Sequence, residues 1–233
     1  MKLTETMLNT LVEKEASNQT NFETIGDDHY SSSIDTPLTK DAFKISSTEK
    51  KEIIAKHFKV IMETLGLDLN DDSLKGTPSR VAKMYIDEIF NGLDPRNKPK
   101  IALFDNKYKY NEMLVEKNIT FYSNCEHHFV PIYGKAHLAY ISSGKVIGLS
   151  KLNRIVDYYS KRPQVQERLT NQIANEVMDV LETKDVAIII DAKRMCVSSR
   201  GIKDESSSTT TSFYSGAFNK ENTRNEFLKY VYA

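Results

Sequence analysis

Two cysteines, and the histidines that follow the first of them, are the residues of this sequence best suited to metal chemistry. In the run Cys125-Glu126-His127-His128, a thiolate and an imidazole stand three residues apart, so one tight turn can direct both at the same ion. Cys196, far along the chain, would add a third ligand. A set of two cysteines and one histidine leaves a fourth position open, which is typical of catalytic zinc, and zinc in that setting activates a bound water for hydrolysis.

Spacing alone leaves the nature of this group open. His127 and His128 could instead be two exposed loop histidines, and Cys196 a packing thiol, because free cysteine is among the residue types most often buried. If a metal is bound, His127 points away from it in such a turn and is available as a proton donor. Two cysteines in 233 residues cannot form a disulfide framework, so they are either packing residues or metal and catalytic residues.

Basic residues predict an anion site near the same group. Lys151 and Arg154 lie one helical turn apart near the start of a predicted helix, with Ser150 beside them, and the free N–H groups and dipole of a helix N-terminus favour an anion. If the strand that reaches Cys196 continues, alternation along it puts four side chains on one face: Arg194, Cys196, Ser198 and Arg200. A metal ligand between two arginines suggests a polyanionic substrate, although a solvated basic face gives the same pattern.

Gln166 and Glu167 stand together at the start of another predicted helix. An amide and a carboxylate side by side could recognise a purine, and a carboxylate suits guanine because the N1–H and the exocyclic amine of guanine are both donors. An ordinary acidic first turn, which the helix dipole favours, gives the same two residues. The residues alone therefore do not decide whether a base is recognised here.

The elements that must position these residues begin with helices. Ser46 followed by Glu49 is a capping-box pattern, and apolar residues at helical spacing continue from it until Gly66, which ends the helix. A second helix is predicted with Thr77 as the N-cap and Pro78 in the first helical position, and its apolar face continues to residue 90.

Farther along the chain the apolar period changes to that of strands. Strands are predicted at "NITFYS", "YGKAHLAYI" and "KVIGLS", and the last two are expected to form a hairpin through Ser142-Ser143-Gly144. A helix then runs until Pro163, which opens the next helix, and the buried strand "DVAIIIDA" is expected to continue through "RMCVSS". This order predicts an α+β fold with an antiparallel sheet and long helices laid over it.

Composition limits the classes of protein to which the chain can belong. Lys+Arg and Asp+Glu both number 32, so the net charge is zero and no global positive field favours nucleic acid as a partner. The absence of a membrane-spanning apolar run and of a signal-peptide core favours a soluble cytoplasmic protein with no membrane partner. Residues 1–45 are polar and lack a sustained period, so we expect a mobile extension there, with a short helix near its start.

Several long stretches resemble GTP cyclohydrolase I, in the same order as in that family. They are "GTPSRVAKMYIDEIFNGL", "CEHHFVPIYGKAHLAYI", "VIGLSKLNRIVDYYSKRPQVQERLT", "CVSSRGIKD" and "NTRNEFL". The similarity runs from about Lys50 to the C-terminus and leaves the polar extension outside. It implies one family domain over residues 46–233, made of a helical part, 46–95, and a catalytic part, 115–233.

The resemblance implies the tunnelling fold, in which an antiparallel four-stranded sheet with helices on one face closes into a barrel with neighbouring subunits. It further implies a homodecamer, with active sites at subunit interfaces, that converts GTP and water to 7,8-dihydroneopterin triphosphate and formate on the way to folate-type pterins. The zinc ligands would be Cys125, His128 and Cys196. His127 would move protons near N7 of guanine, and Ser150 would lie by the ribose. The base and the triphosphate would be held, in part from a neighbouring subunit, by Arg80, Leu149, Lys151, Arg154, Gln166, Glu167 and Arg200.

Arg194 departs from the resemblance, because the family has a histidine at this position. Arginine stays charged at every accessible pH, so it cannot take and return a proton, although it can stabilise an oxyanion as a catalytic residue. Three outcomes stay open: an active cyclohydrolase, an enzyme that stops at the ring-opened formamide, and a non-catalytic GTP-binding subunit. The intact metal and base residues argue against the last of these.

Overall fold

The computed structural model describes residues 33–233. Most of the predicted extension, residues 1–45, and the short helix expected near its start lie outside the described residues. Residues 33–46 contain turns and bends but neither helix nor strand. Within the described part of the chain, no helix is both long and apolar enough to cross a membrane.

Helix α1, Ser47–Thr64, begins and ends as the sequence predicts. The Ser46 hydroxyl accepts a hydrogen bond from the Glu49 N–H at 3.1 Å, which satisfies one of the free donors of the first turn. At the other end Gly66 has a φ of +80°, and the N–H groups of Gly66 and Leu67 donate back to carbonyls near the end of the helix. This pair of bonds is the Schellman arrangement, which a glycine in the left-handed region allows.

Helix α2, Thr77–Met84, differs from its prediction at both ends. Gly76 rather than Thr77 occupies the N-cap, so the helix starts one residue earlier than expected, with its proline still in the first turn. The apolar period predicts one continuous helix to residue 90, but the chain widens into a π-helical turn at Tyr85–Ile89. A wider turn is a frequent feature near functional sites, and this one leads to the residues that pack behind the metal motif.

The main sheet has five strands in the order β5-β2-β3-β6-β7. Four of them are antiparallel, namely β2 Met113–Cys125, β3 Pro131–Ile141, β6 Val186–Arg194 and β7 Thr209–Tyr214. The fifth, β5, is the two-residue strand Pro163–Gln164, which runs parallel to the end of β2. The mixed α+β class and the antiparallel four-stranded sheet are therefore confirmed, with one short strand added at an edge.

The predicted hairpin between the second and third strands of the sequence pattern is wrong. Strand β4, Lys145–Ile147, pairs with β1, Leu103–Asp105, in a separate two-stranded sheet. Both edges of β3 are already occupied, by β2 on one side and β6 on the other, so β4 has no free edge of β3 to join. The chain still bends at residues 143–144, as the serine and glycine residues there indicate.

Two long helices, α3 and α4, cover one face of the main sheet. They span Leu149–Ser160 and Gln166–Leu181. Helix α4 starts three residues after Pro163 and not at this proline as predicted, because Pro163 pairs with β2 as part of β5. The core between sheet and helices consists of fully buried aliphatic side chains, among them Leu138, Leu152, Ile155, Leu169, Ile173 and Ile188.

Helix α6, Glu221–Tyr232, corrects the expectation that all helices lie on one face of the sheet. Its Phe227 belongs to a second buried cluster, together with Ala139 of β3 and Ile189 of β6. Successive strand residues point to opposite faces, so these two side chains lie on the face opposite the α3 and α4 core. The sheet is therefore covered on both sides near this end.

His137 is a buried histidine of β3 that lies where β2 bulges. Its Nδ1 accepts a hydrogen bond from the Asn118 N–H at 3.4 Å. Burial is the largest cause that lowers the pKa of His137; Asp191 opposes this shift, and Lys117 and Lys135 add to it. The fold therefore favours the neutral imidazole.

We expect the free energy of unfolding to fall as the pH drops below the ordinary histidine pKa of about 6.5. The unfolded chain binds the proton more readily, so the stability contributed by neutral His137 is complete above that pH and is lost below it. Denaturant titrations at several pH values and fixed protein concentration should show a weaker dependence in His137→Gln, whose amide oxygen can still accept from Asn118. His57→Gln controls for the loss of one imidazole. An acid dependence in His137→Gln as steep as in the wild type would contradict the prediction.

Candidate metal centre and active site

Cys125 is the last residue of β2 and is buried, and the turn formed by residues 126–128 follows it. Two backbone hydrogen bonds close this turn: the Cys125 N–H donates to the Val130 carbonyl and the Phe129 N–H to the Cys125 carbonyl, both at 2.8 Å. Phe129 has a left-handed φ of +55°, which is uncommon for an aromatic residue. The turn holds the Nδ1 atoms of His127 and His128 each 3.9 Å from the Cys125 sulfur.

Cys196 reaches the same place from β6, although not as the sequence predicts. Strand β6 ends at Arg194, and Met195–Ser198 form one helical turn, α5, so the predicted continuation of the strand is wrong. The hydroxyls of Ser198 and Ser199 donate to carbonyls four residues earlier, which favours a helical turn over an extended chain. The alternation expected to place Arg194, Cys196, Ser198 and Arg200 on one strand face therefore stops at Arg194.

The helical turn nevertheless brings three potential metal ligands together. One side-chain ligand atom from each of Cys125, His128 and Cys196 lies within 4.8 Å of the other two. Zinc binds thiolate at about 2.3 Å and imidazole at about 2.0 Å, which puts such ligand atoms roughly 3.5 Å apart in a tetrahedral site. Cys125 Sγ and His128 Nδ1 lie 3.9 Å apart, so the spacing and the donor set both fit zinc. Three protein ligands leave one position for water or substrate.

The surroundings of Cys196 raise the pKa of its thiol. Burial is the largest cause, the sulfur of Cys125 adds to it by charge and by hydrogen bonding, and the guanidinium of Arg194 acts in the opposite direction. A divalent cation shared by the two sulfurs removes the repulsion between thiolates, since cysteines bind metals in the deprotonated form. The thiol pair is therefore better suited to a bound cation than to two free thiolates.

Glu126 and Arg200 contact the two histidines of the turn. Arg200 Nη1 lies 2.9 Å from His128 Nε2, so Arg200 lies at the candidate metal group, which it reaches from beyond a helical turn and not along a strand. Glu126 Oε1 lies 3.7 Å from His127 Nε2, and the His127 side chain is 46% exposed. The two imidazole rings are nearly perpendicular, at 86°. His127 is thus open to a substrate next to the ligand group.

Arg194 contacts the two residues predicted to recognise a base. Its Nε and Nη2 atoms each lie 3.4 Å from Gln166 Oε1, and Nη2 lies 3.8 Å from Glu167 Oε2. Gln166 is buried, and its amide nitrogen donates to the carbonyls of Ile190 and Thr209. The Glu167 side chain, in contrast, is 65% exposed. Of the two predicted base-reading groups, the carboxylate is the one that a ligand can reach.

The predicted ribose and phosphate residues of α3 lie at the other end of the sheet from Cys125. The last turn of α3 leads into β5, which pairs with the Cys125 end of β2, whereas Leu149 begins the helix after β4. A helix of 12 residues spans about 18 Å. Four of the predicted residues therefore do not reach the candidate metal ligands of the same chain, namely Leu149, Ser150, Lys151 and Arg154.

Arg80, another predicted phosphate ligand, bonds to its own helix and to the turn that precedes it. Its guanidinium donates to the Ser73 carbonyl at 2.9 Å and to the Thr77 hydroxyl at 3.0 Å. The residue is exposed, so a phosphate can replace these two acceptors. Arg80 belongs to the helical part of the chain and is separate in sequence and in its contacts from the turn that carries the metal ligands.

Arg168 is a residue of this region that the sequence reasoning missed. It follows Glu167 on α4, is buried, and its guanidinium pairs with Glu126 of the metal turn. Spacing gives no signal for it, because the residue before a core position lies about 100° around the helix and is not expected to be buried. Its partner is the acidic residue inside the Cys-x-x-His motif.

Comparisons with known proteins give the family. The family model described as GTP cyclohydrolase I matches residues 54–232. A GTP cyclohydrolase 1 of Flavobacterium johnsoniae is 61% identical over 214 residues, which cover 92% of this chain and 96% of the relative. Proteins of the same name from Aeromonas salmonicida and Escherichia coli are 54% and 52% identical, cover 84% and 85% of this chain, and are themselves covered to 89% and 90%. The chain therefore belongs to the GTP cyclohydrolase I family.

Proposed function

We propose that the chain is a zinc-dependent enzyme that converts GTP and water to 7,8-dihydroneopterin triphosphate and formate, the first step toward folate-type pterins. The observation that carries this proposal is the convergence of Cys125, His128 and Cys196, whose ligand atoms lie within 4.8 Å of one another. The exposed carboxylate of Glu167 and the guanidinium of Arg200 belong to the same region. Relatives named GTP cyclohydrolase 1 match over nearly their whole length, which supports the same reaction.

The metal group and His127 divide the first hydrolysis between them. Cys125, His128 and Cys196 would hold zinc, which when bound supplies a Lewis acid that activates water toward C8 of the purine. His127, next to the ligands and open to a substrate, gives a proton to N7 as the imidazole ring opens. Histidine suits this task because its proton exchanges near neutral pH.

Guanine recognition rests on Glu167, with Gln166 as its support. The Glu167 carboxylate accepts from the two donors of guanine, N1–H and the exocyclic amine. Gln166 holds the first turn of α4 against the sheet through its two bonds to main-chain carbonyls, which fixes the direction in which its neighbour points. The base is therefore read by an exposed carboxylate on a rigid helix start.

We propose that the active site is completed by a second copy of the chain, within the decamer that the family resemblance implies. Arg200 lies at the metal group, whereas Lys151 and Arg154 lie toward the other end of the same subunit. A triphosphate bound near Arg200 can be held by the α3 residues if they belong to a neighbouring subunit. The residues assigned to the neighbour's share are Arg80, Leu149, Ser150, Lys151 and Arg154, with Ser150 beside the ribose.

We expect one zinc ion per subunit, and loss of zinc from Cys196→Ser, since a hydroxyl is a poor substitute for a thiolate ligand. Binding should weaken as the pH falls, because both cysteines must lose their protons to bind the metal. Metal analysis after dialysis measures the zinc content. Ser198→Ala, in the same helical turn, is the matched control and should keep its zinc. A full zinc complement in Cys196→Ser would exclude Cys196 as a ligand.

We expect GTP to bind and ATP to bind far more weakly, because Glu167 would face the acceptor N1 of adenine. A mispaired carboxylate of this kind costs on the order of a few kcal/mol. Titration calorimetry on the zinc-loaded protein measures both affinities. Glu167→Gln should weaken GTP binding, whereas Asp179→Asn, which changes an exposed carboxylate on the same helix, should not. Equal affinities for the two nucleotides would refute the role of Glu167.

Arg194 is expected to slow the second hydrolysis, which releases formate from the ring-opened formamide. That step requires a group that first takes and then gives a proton, and the loss of one such group costs about a hundredfold to ten-thousandfold in rate. We therefore expect the formamide to accumulate from GTP, and Arg194→His to accelerate formate release. Chromatography that follows GTP, formamide and formate in parallel measures each step.

The control for this variant is Arg194→Lys, which keeps the positive charge and should leave formate release slow. A wild-type protein that releases formate as fast as it opens the ring, with no gain in Arg194→His, would assign the proton transfer to another residue. Failure to consume GTP at all by the zinc-loaded protein would instead contradict the proposed function itself.

A further inference from the structure

The turn that carries the metal ligands is tied to α4 by a buried ion pair. Arg168 Nη1 lies 2.5 Å from Glu126 Oε2, and Arg168 Nη2 lies 3.3 Å from Glu126 Oε1, so the two planar groups meet through two bonds. The side chains are 3% and 19% exposed, respectively. Bidentate contacts of this kind fix the orientation of both partners as well as their distance.

The ion pair fixes the middle of a turn whose ends are held by the backbone. Residues 125 and 129–130 are joined by main-chain hydrogen bonds, and the Glu126 N–H donates to the Gln164 carbonyl of β5 at 3.1 Å. Beyond the turn, the Phe129 ring packs on Phe90, with ring centroids 5.1 Å apart. Glu126 turns its side chain inward to Arg168, while the neighbouring His127 stays half exposed.

The position of Arg168 in the sequence gives the pair a second consequence. It comes directly after Gln166 and Glu167, in the first turn of α4. A bond from Arg168 to Glu126 therefore sets the distance between the first turn of α4, which presents the base-reading carboxylate, and the turn that presents Cys125 and His128. The purine carbon that is hydrolysed must lie between these two groups, so their separation matters for the reaction.

We propose that Arg168 and Glu126 are positioning residues that hold the metal-ligand turn against the start of α4, and that zinc affinity depends on their ion pair. The inference rests on the proposed function, because it takes Cys125, His128 and Cys196 as the zinc ligands. Residues that orient metal ligands from behind typically change metal affinity by roughly tenfold to a hundredfold when they are replaced.

The test is the zinc dissociation constant, measured by competition with a chromophoric chelator on the full chain. Arg168→Gln and Glu126→Gln should each weaken zinc binding by roughly tenfold to a hundredfold. Arg168→Lys, which keeps the charge but not the two-bond geometry, should fall between these variants and the wild type. The double variant Glu126→Gln with Arg168→Gln removes both charges of the pair together, so it keeps the test available if a single variant does not fold. It should still bind zinc more weakly than the wild type.

The matched control is Glu176→Gln, which breaks another ion pair of α4, that of the buried Glu176 with the half-exposed Lys98 at 2.7 Å. It should lower the thermal midpoint of unfolding and leave the zinc dissociation constant unchanged, because it does not touch the turn. If the Arg168 and Glu126 variants lose thermal stability but bind zinc as tightly as the control, the pair is structural and the inference is overturned. A wild-type chain that binds no zinc would refute the metal site itself, which is a separate result.

Discussion

The register of three neighbouring strands is the constraint on which the site depends. Asn124, next to the last residue of β2, pairs with Pro131 at the start of β3, and the following residue of β3, Ile132, pairs with Arg194 at the end of β6. Antiparallel pairing thus brings the C-terminal ends of β2 and β6, the two strands that flank β3, to the same end of the sheet. Cys125 and Cys196, far apart in the sequence, meet there because Cys125 is the last residue of β2 and Cys196 lies two residues after the last residue of β6. A shift of one residue in either pairing would turn a thiol away from its partner.

Much of the fold and the ligand group could be predicted from the sequence, since they depend on local patterns. The cap of α1, the long strands and the Cys-x-x-His turn are set by residues close together in the chain. The hairpin prediction failed because local alternation does not reveal which strand edges are already paired. The helical turn at Cys196 was not predicted for a related reason. The hydroxyls of Ser198 and Ser199 bond to preceding carbonyls, and these bonds compete with extension of the strand. The apolar run before them predicts a strand but gives no information about this competition.

The site residues that the sequence grouped by chemistry are separated in space by the direction of α3. Lys151 and Arg154 stand one helical turn apart, as expected, but their helix begins at the far end of the sheet and runs toward the end that carries Cys125. Spacing within a helix predicts which side chains share a face, not where that helix begins. A cluster of basic residues assigned to one anion can therefore be divided between two ends of a subunit. This division is the observation behind the proposal that a second copy of the chain completes the site.

The first turn of α4 shows how one exposed carboxylate is held by two buried neighbours. Gln166 bonds to carbonyls of β6 and of the residue that starts β7, and Arg168 bonds to the metal turn, while Glu167 between them faces outward. Arg194 contacts both Gln166 and Glu167, so its positive charge balances the carboxylate that a base would meet. A neutral histidine at this position could not do so in the same way. If the proposed function holds, Arg194 therefore affects both proton transfer at the metal group and the charge of the base site. Separating these two effects requires following nucleotide binding and turnover in the same variants.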